Sequence, residues 1–454
     1  MKGARHARQP VAMLLGLALV LTLAFADRAH AAARVEEVVS PSGIKAWLIR
    51  EPAIPILSLS LYFKGGAATD PRDRSGLAYM TSGLIDEGAG PYDSEAFRAE
   101  LEDHAIRLSF DADRDGVSGD LKTLTENRGH AFELLRLALT QPRFDAEPVE
   151  RIRSQILADL RRQESDPNTV ANRTWFERAF KDHPYSQPVR GTPTTLSAIT
   201  AEDLRGFVAS HFARDNLLVG VSGDITPEEL APLLDHAFGA LPAEARLPEV
   251  PVTAPAVDRT VVVPMAIPQS VVVFGHAGLE RQDPDYYVAY VANYILGGGG
   301  FSSRLTEEVR EKRGLAYSVY SYLYDAQRSP LWLGGLATRN DQVALSIELV
   351  RKELARLAAG EVDARDLENA KTYLTGSFPL RLTSNDQVAK FLVGMQLAEL
   401  GIDYLEQRNG YIEAVTLEDL KRVSAGLFGG PLLVTIVGAP TGVESSGAET
   451  GSEG

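Results

Sequence analysis

The sequence contains no cysteine, and this absence excludes several kinds of chemistry. Without thiols a chain forms no disulfide bond, offers no thiol nucleophile and binds no metal through cysteine. Packing alone must then stabilise the fold. The composition allows this, because 44% of the residues are hydrophobic and 24% are charged, as in ordinary globular proteins.

Histidine is scarce, and its spacing is unfavourable for a helical zinc motif. No two histidines beyond residue 31 stand three or four positions apart, so no helix can present two imidazoles to one zinc ion. Neither H-E-x-x-H nor H-x-x-E-H occurs, and the serine-hydrolase elbow G-x-S-x-G is also absent. A zinc site assembled from distant histidines stays open as an alternative. The histidines concerned are His104, His130, His183, His211, His236 and His276.

Only one long apolar run occurs, Val11 to Ala26, and it lies near the N-terminus. Its 16 residues fall short of the roughly 20 that span a bilayer, which disfavours the alternative of a membrane anchor. Basic residues precede the run, and the small residues Ala29 and Ala31 follow it, as in a secretory signal. We predict a signal peptide over residues 1–31, cleavage before Ala32, a periplasmic location and no remaining membrane segment.

The charge balance is acidic. The formal net charge is −15, and removal of residues 1–31, which carry four lysines and arginines against one aspartate, makes it more negative. Such a surface repels nucleic acids and anionic membranes, and it weakly attracts basic peptides.

An internal repeat organises the chain. Residues 199–204 (ITAEDL) return as residues 415–420 (VTLEDL), each followed by a helical stretch and an apolar strand. The strands cover 217–221 and 432–436, and they close at Gly223 and Gly438. In both copies a threonine precedes an acidic pair, as an N-cap does before the first helical turn.

The beginnings of the two halves also match, since residues 45–63 and 260–274 each read as two short strands around a proline-containing turn. Helical patterns cover 149–164 and 286–296. We therefore predict an α+β fold of two homologous domains, each a mixed β-sheet covered by helices. The predicted limits are 32–239 and 259–439, with a proline-rich linker at 240–258 and a disordered tail at 440–454.

The segment 296–320 (LGGGGFSSRLTEEVREKRGLAYSVY) carries the most specific pattern. A glycine loop leads into a helix capped by Ser302 or Ser303, the helix ends at Gly314, and a strand follows from Leu315. Folding the helix back on the strand brings Arg310 and Tyr317 together, as a cation and a phenolic donor suited to a peptide carbonyl or an oxyanion. The alternative is that Arg310 pairs with a nearby glutamate and Tyr317 is a core aromatic.

This segment resembles the C-terminal-domain motif of the pitrilysin and mitochondrial-processing-peptidase family of zinc peptidases, in its glycine loop, S-S-R-L and R-E-K-R-G-L-A-Y-S-V. The resemblance extends over nearly the whole chain after residue 31. It implies that Arg310 and Tyr317 bind substrate and stabilise the tetrahedral intermediate. It also implies that the glycine loop contacts substrate, through Gly297, Gly298, Gly299 and Gly300.

The resemblance fails at the metal motif, which in that family follows a Gly-Leu-Ala as H-x-x-E-H. After Gly76-Leu77-Ala78, Tyr79 and Gly83 stand where the two histidine ligands belong, and Ser82 stands at the catalytic glutamate. The third ligand position falls near Ala158 or Asp159. These substitutions remove the Lewis acid, the activated water and the general base together. We expect no metal in this chain.

Taken together, the resemblance implies the non-zinc subunit of an exported heterodimeric peptidase. Arg310 and Tyr317 would serve a homologous H-x-x-E-H partner that holds the zinc and encloses an unfolded peptide. The subunit would be inactive alone. Two alternatives remain: a non-catalytic scaffold of a larger complex, and a stand-alone periplasmic protein that binds peptides.

Overall fold

The computed structural model describes residues 34–446, so the predicted signal peptide and its cleavage point lie outside the described residues. The strands are β1 (Glu36–Val39), β2 (Lys45–Arg50), β3 (Ile56–Lys64), β4 (Arg107–Ala112), β5 (Gly116–Leu124), β6 (Leu217–Gly223), β7 (Arg259–Pro264), β8 (Gln269–Ala277), β9 (Ala316–Tyr324), β10 (Leu331–Arg339) and β11 (Leu433–Gly438).

Helices lie between the strands in both halves. They are α1 (Leu77–Ser82), α2 (Ser94–Asp103), α3 (Arg128–Thr140), α4 (Ala146–Gln163), α5 (Pro167–Ala179), α6 (Pro193–Ala198), α7 (Ala201–His211), α8 (Pro227–Phe238), α9 (Tyr286–Asn293), α10 (Val343–Ala358), α11 (Ala364–Gly376), α12 (Asn385–Leu397), α13 (Tyr404–Glu413) and α14 (Leu417–Phe428). None of the helices that the structure describes is both long and apolar enough to cross a membrane.

The strands form two mixed sheets, which confirms the predicted fold class. The first sheet has the order β1-β2-β6-β3-β5-β4, and the second has the order β7-β11-β8-β10-β9. In each, the last strand of the half returns and inserts between two strands that are neighbours in sequence: β6 between β2 and β3, and β11 between β7 and β8. One side of each inserted strand is parallel and the other antiparallel.

The two glycines that close the inserted strands are required by geometry. Gly223 has φ +140° and Gly438 has φ +153°, a region that residues with a Cβ avoid. A Cβ on Gly223 would lie 2.2 Å from the Ile56 carbonyl oxygen, and one on Gly438 would lie 2.2 Å from Ser270 Oγ. The predicted caps are also present: Thr200 accepts from the Asp203 N–H, and Thr416 accepts from the Asp419 N–H.

The halves exchange one helix each, which the sequence did not reveal. Helix α5 of the first half packs on the second sheet, where fully buried Trp175 donates from Nε1 to the Leu433 carbonyl at 3.2 Å. Helix α12 of the second half packs on β3 and β6, where Gln396 Nε2 donates to the Val219 carbonyl at 2.8 Å. The backbone of α12 comes so close that a Cβ on Gly220 would lie 2.3 Å from the Ala389 carbonyl oxygen.

The segments outside the sheets are more ordered than their composition indicates. Residues 240–258 contain no helix or strand, yet they bind both halves: Arg246 N–H donates to the Ser210 carbonyl and Thr253 N–H to the Arg328 carbonyl. The described part of the predicted tail, residues 440–446, forms hydrogen bonds with the second sheet. Ser446 N–H donates to the Thr260 carbonyl, and Ser445 Oγ accepts from the Val262 N–H, so these residues lie along β7.

Candidate functional site

The candidate site lies at β9, an edge strand of the second sheet. Buried Asn293, at the end of α9, fixes this strand through its amide group. Its Oδ1 accepts from Ser321 Oγ at 2.7 Å and from Trp332 Nε1 at 2.9 Å, and its Nδ2 donates to the Ser321 carbonyl at 3.2 Å. Because Ser321 belongs to β9 and Trp332 to β10, one side chain positions the hairpin against the helix.

Arg310 lies on a π-helical turn, Thr306–Glu311, that leads into β9. Gly314, with φ +61°, then turns the chain, and its N–H donates to the Arg310 carbonyl at 2.7 Å. The guanidinium carbon consequently lies 5.0 Å from the centre of the Tyr317 ring. The structure thus brings together the two residues that the sequence paired.

The surroundings decide between the two interpretations of this pair. Tyr317 is 85% exposed, so it is not a core aromatic. Arg310 does contact a glutamate, with its Nε 3.3 Å from Glu311 Oε1, but its guanidinium also lies over two rings. Among the described residues, none forms a hydrogen bond with the Tyr317 hydroxyl. The pair therefore presents a fixed cation and a free donor to the solvent.

The second ring belongs to Phe301, which the sequence did not single out. Its centre lies 4.6 Å from the guanidinium carbon of Arg310, and the side chain is 73% exposed. The guanidinium thus contacts two aromatic rings, an arrangement that restricts its rotamers. The position of Phe301 directly after four glycines is the sequence feature that could have indicated its presence at the site.

The glycine loop meets two different requirements. Gly297 is buried behind β9, where a Cβ would lie 2.4 Å from Ser321 Oγ, so this position requires close packing and its contact with substrate stays a prediction. Gly298 and Gly300 are exposed, and Gly300 has φ +57° with open space around it. Gly299 is partly exposed. Substrate contact stays a prediction for these three glycines.

The residues at the lost zinc motif do not fit a zinc ion. On α1, Ser82 is buried and its Oγ donates to the Tyr79 carbonyl at 2.8 Å, while Gly83 after the helix offers no ligand atom. Burial raises the pKa of the half-buried Tyr79, so its phenol stays protonated and binds metal poorly. The guanidinium of Arg190 lies 4.9 Å from the Tyr79 ring centre and would repel a divalent cation.

Comparison with known proteins agrees with this geometry. Residues 46–193 match the family profile described as Insulinase (Peptidase family M16), and residues 198–374 match the profile described as Peptidase M16 inactive domain. The chain belongs to the M16 peptidase family. It is therefore an M16 chain in which the H-x-x-E-H motif is absent and Arg310 lies beside an exposed Tyr317.

Individual M16 relatives cover most of the chain. The non-peptidase homolog YmxG of Helicobacter pylori is 28% identical over 330 residues, 72% of this chain and 76% of that protein. The mitochondrial-processing peptidase subunit beta of Saccharomyces cerevisiae is 21% identical over 80% of this chain and 81% of that protein. A solved peptidase M16 inactive domain from Pseudomonas fluorescens superimposes with a TM-score of 0.84 at 27% identity, over 90% of this chain and 98% of that one.

Proposed function

We propose that this chain is exported to the periplasm and acts as the non-zinc subunit of a two-chain M16 peptidase. The observation that carries the proposal is the contrast between two sites. Arg310 lies beside the exposed Tyr317, whereas positions 79–83 offer no residue that binds zinc well. A homologous H-x-x-E-H partner would supply the zinc, the activated water and the general base.

In this proposal the two side chains act on the peptide that the partner cleaves. Arg310 donates to a substrate carbonyl from a guanidinium whose orientation the two rings fix. Tyr317 donates its hydroxyl proton in a hydrogen bond to the oxyanion that develops as water adds. The outer edge of β9 is unpaired within the sheet, so an extended peptide can pair with its backbone beside these groups.

Cleavage by the reconstituted complex tests the role of the pair. Loss of one oxyanion donor raises the barrier by about 2.7–4 kcal/mol, so Tyr317→Phe should slow turnover about 10²- to 10³-fold while leaving assembly intact. Tyr411→Phe, at another partly exposed tyrosine on α13, is the matched control and should have no effect. Equal cleavage rates for Tyr317→Phe and the unmodified chain would show that the assigned role is wrong.

Purification from the native organism tests the partnership. We expect a stoichiometric, similar-sized exported protein that carries H-x-x-E-H to accompany the chain. A complex whose other members are not peptidases would instead support the scaffold alternative. A stable monomer that binds unfolded peptide by itself would support the stand-alone peptide-binding alternative. Fractionation tests the export, since the chain should appear in the periplasm without residues 1–31.

A further inference from the structure

A second group of potential ligands lies in the first half, at the end of α2. Glu100 and His104 stand one helical turn apart on the same face, and His130 projects towards them from the first turn of α3. The two imidazole ring centres are 4.3 Å apart. One ligand atom from each of the three residues lies within 4.8 Å of the others. None of these residues belongs to positions 79–83.

The distances suit a tetrahedral ion of the zinc class. Metal–ligand bonds of about 2.0–2.2 Å at tetrahedral angles place neighbouring ligand atoms about 3.3–3.5 Å apart. Glu100 Oε2 lies 2.8 Å from His130 Nε2 and 3.8 Å from His104 Nδ1, so the observed separations bracket that value. Shifts of about half an ångström, well within the freedom of side chains at a surface, would bring all three to bonding distance.

The surroundings hold the ligands in place and leave a path for the ion. Asn127 Nδ2 donates to the His104 carbonyl at 2.6 Å and fixes the backbone that carries this histidine. The three side chains are between 28% and 40% exposed, so an ion can reach them from solvent. His104 Nδ1 at present contacts the Glu100 carbonyl at 2.9 Å, and metal binding exchanges that hydrogen bond for a coordinate bond.

The expectation of no metal in this chain rested on the lost H-x-x-E-H motif alone. Against it, we propose that Glu100, His104 and His130 form a binding site for one divalent transition-metal ion of the zinc class. The mixed imidazole and carboxylate set favours Zn²⁺ over Mg²⁺ or Ca²⁺, which prefer oxygen ligands alone. The ion would join the end of α2 to the start of α3, next to the turn into β4. Its role is a structural clamp at the outermost strand of the first sheet.

Calorimetric titration of the metal-stripped chain with Zn²⁺ tests this site. One ion should bind per chain, and His104→Ala and His130→Ala should each weaken binding ~10-fold or more, because each removes a ligand. The matched control is His236→Asn. His236 Nε2 lies 2.7 Å from Glu133 Oε2, a similar exposed pair without a third ligand, so its loss should leave zinc affinity unchanged.

Several results would overturn the site. No zinc binding at millimolar metal, zinc binding that survives both alanine variants, or equal binding of Mg²⁺ would each contradict it. If an alanine variant fails to fold, Glu100→Gln replaces it, because it keeps the side-chain volume and removes the anionic ligand. The thermal midpoint gives a second readout: zinc should raise it in the unmodified chain and in His236→Asn, but not in the ligand variants.

Discussion

The two halves use the same backbone unit for different chemistry. In each, a helical segment ends, a residue with positive φ turns the chain, and the outermost strand of the sheet begins. That residue is Ala105 (φ +51°) before β4 and Gly314 (φ +61°) before β9. The first unit carries Glu100 and His104, which contact His130. The second carries Arg310 beside Tyr317.

The difference shows where function resides in a duplicated fold. The backbone is repeated, but exposure and side-chain identity differ. β4 exposes Arg107, Ser109 and Asp111, whereas β9 exposes a row of tyrosines, at 317, 320 and 322. At the positions of the family's two histidine ligands, the first half has Tyr79, which lies beside Arg190, and Gly83, which has no side chain. A fold therefore sets positions, and the residues at those positions decide the chemistry.

Substitutions in the exchanged helices α5 and α12 are expected to have the largest effects on stability. Trp175→Ala should lower the free energy of unfolding by about 3–5 kcal/mol, because it leaves a cavity on the second sheet and removes the hydrogen bond to the Leu433 carbonyl. Its counterpart Leu392→Ala, fully buried on the first sheet, should cost about 2–5 kcal/mol. Urea unfolding measures both. Leu380→Ala, at a 73% exposed side chain, is the control and should change stability by less than about 0.5 kcal/mol.

This prediction would fail if only one of the two variants were destabilised. Such an asymmetry would mean that one half gains much more stability from the other half's helix than it provides in return.

The buried His211 of the first half makes stability depend on pH. It hydrogen bonds with the hydroxyl groups of Thr69 and Ser210, and burial lowers its pKa to about 4. Above pH 6.5 the imidazole is neutral in both states, so its contribution is constant. As the pH falls from 6.5 to 4, only the unfolded chain takes up the proton, and the free energy of unfolding decreases by up to about 3 kcal/mol.

Urea unfolding at pH 7, 5.5 and 4 checks this effect. His211→Asn should have lower stability at pH 7 but a shallower decrease towards pH 4 than the unmodified chain. Leu380→Ala, at an exposed side chain that does not titrate, should keep the original slope. An unchanged slope in His211→Asn would show that other groups cause the acid sensitivity.

Substitution of Phe301 tests whether the Arg310 guanidinium needs a second aromatic contact besides Tyr317. An exposed cation–π contact contributes about 0.5–1 kcal/mol, so Phe301→Ala should reduce cleavage by the reconstituted complex about two- to fivefold. Leu380→Ala serves as the control for loss of an exposed apolar side chain. If Phe301→Ala slowed cleavage as much as Tyr317→Phe, Phe301 would contact substrate directly.

The smallest effect on stability is expected at an ion pair that joins α12 to the first sheet. Asp386 on α12 lies 2.7 Å from Lys122 Nζ on β5, and both side chains are more than a third exposed. Asp386→Asn should therefore lower the free energy of unfolding by only about 0.2–1 kcal/mol, and less at high salt. A loss comparable to that of Trp175→Ala would show that charges rather than packing hold α12.

The sequence predicted what depends on local patterns. The strands, the threonine caps and the closing glycines repeat at nearly constant spacing, and the R-x-x-x-x-x-x-Y motif placed Arg310 near Tyr317 correctly. Non-local features were missed. The insertion of β6 between β2 and β3, the helix exchange and the approach of His130 to Glu100 and His104 join residues that are distant in sequence. Glu100 and His104 are four residues apart, the spacing at which two metal ligands share one face of a helix. A motif of two histidines does not include them, because the first residue is a glutamate.

We propose that this chain kept electrophilic assistance and lost the hydrolytic centre. Hydrolysis of an unfolded test peptide by the purified chain alone, with Zn²⁺ added, tests this proposal. We expect no cleavage above the buffer rate, even when the metal occupies Glu100, His104 and His130. Cleavage by the isolated chain that a chelator abolishes and that zinc restores would contradict the claim.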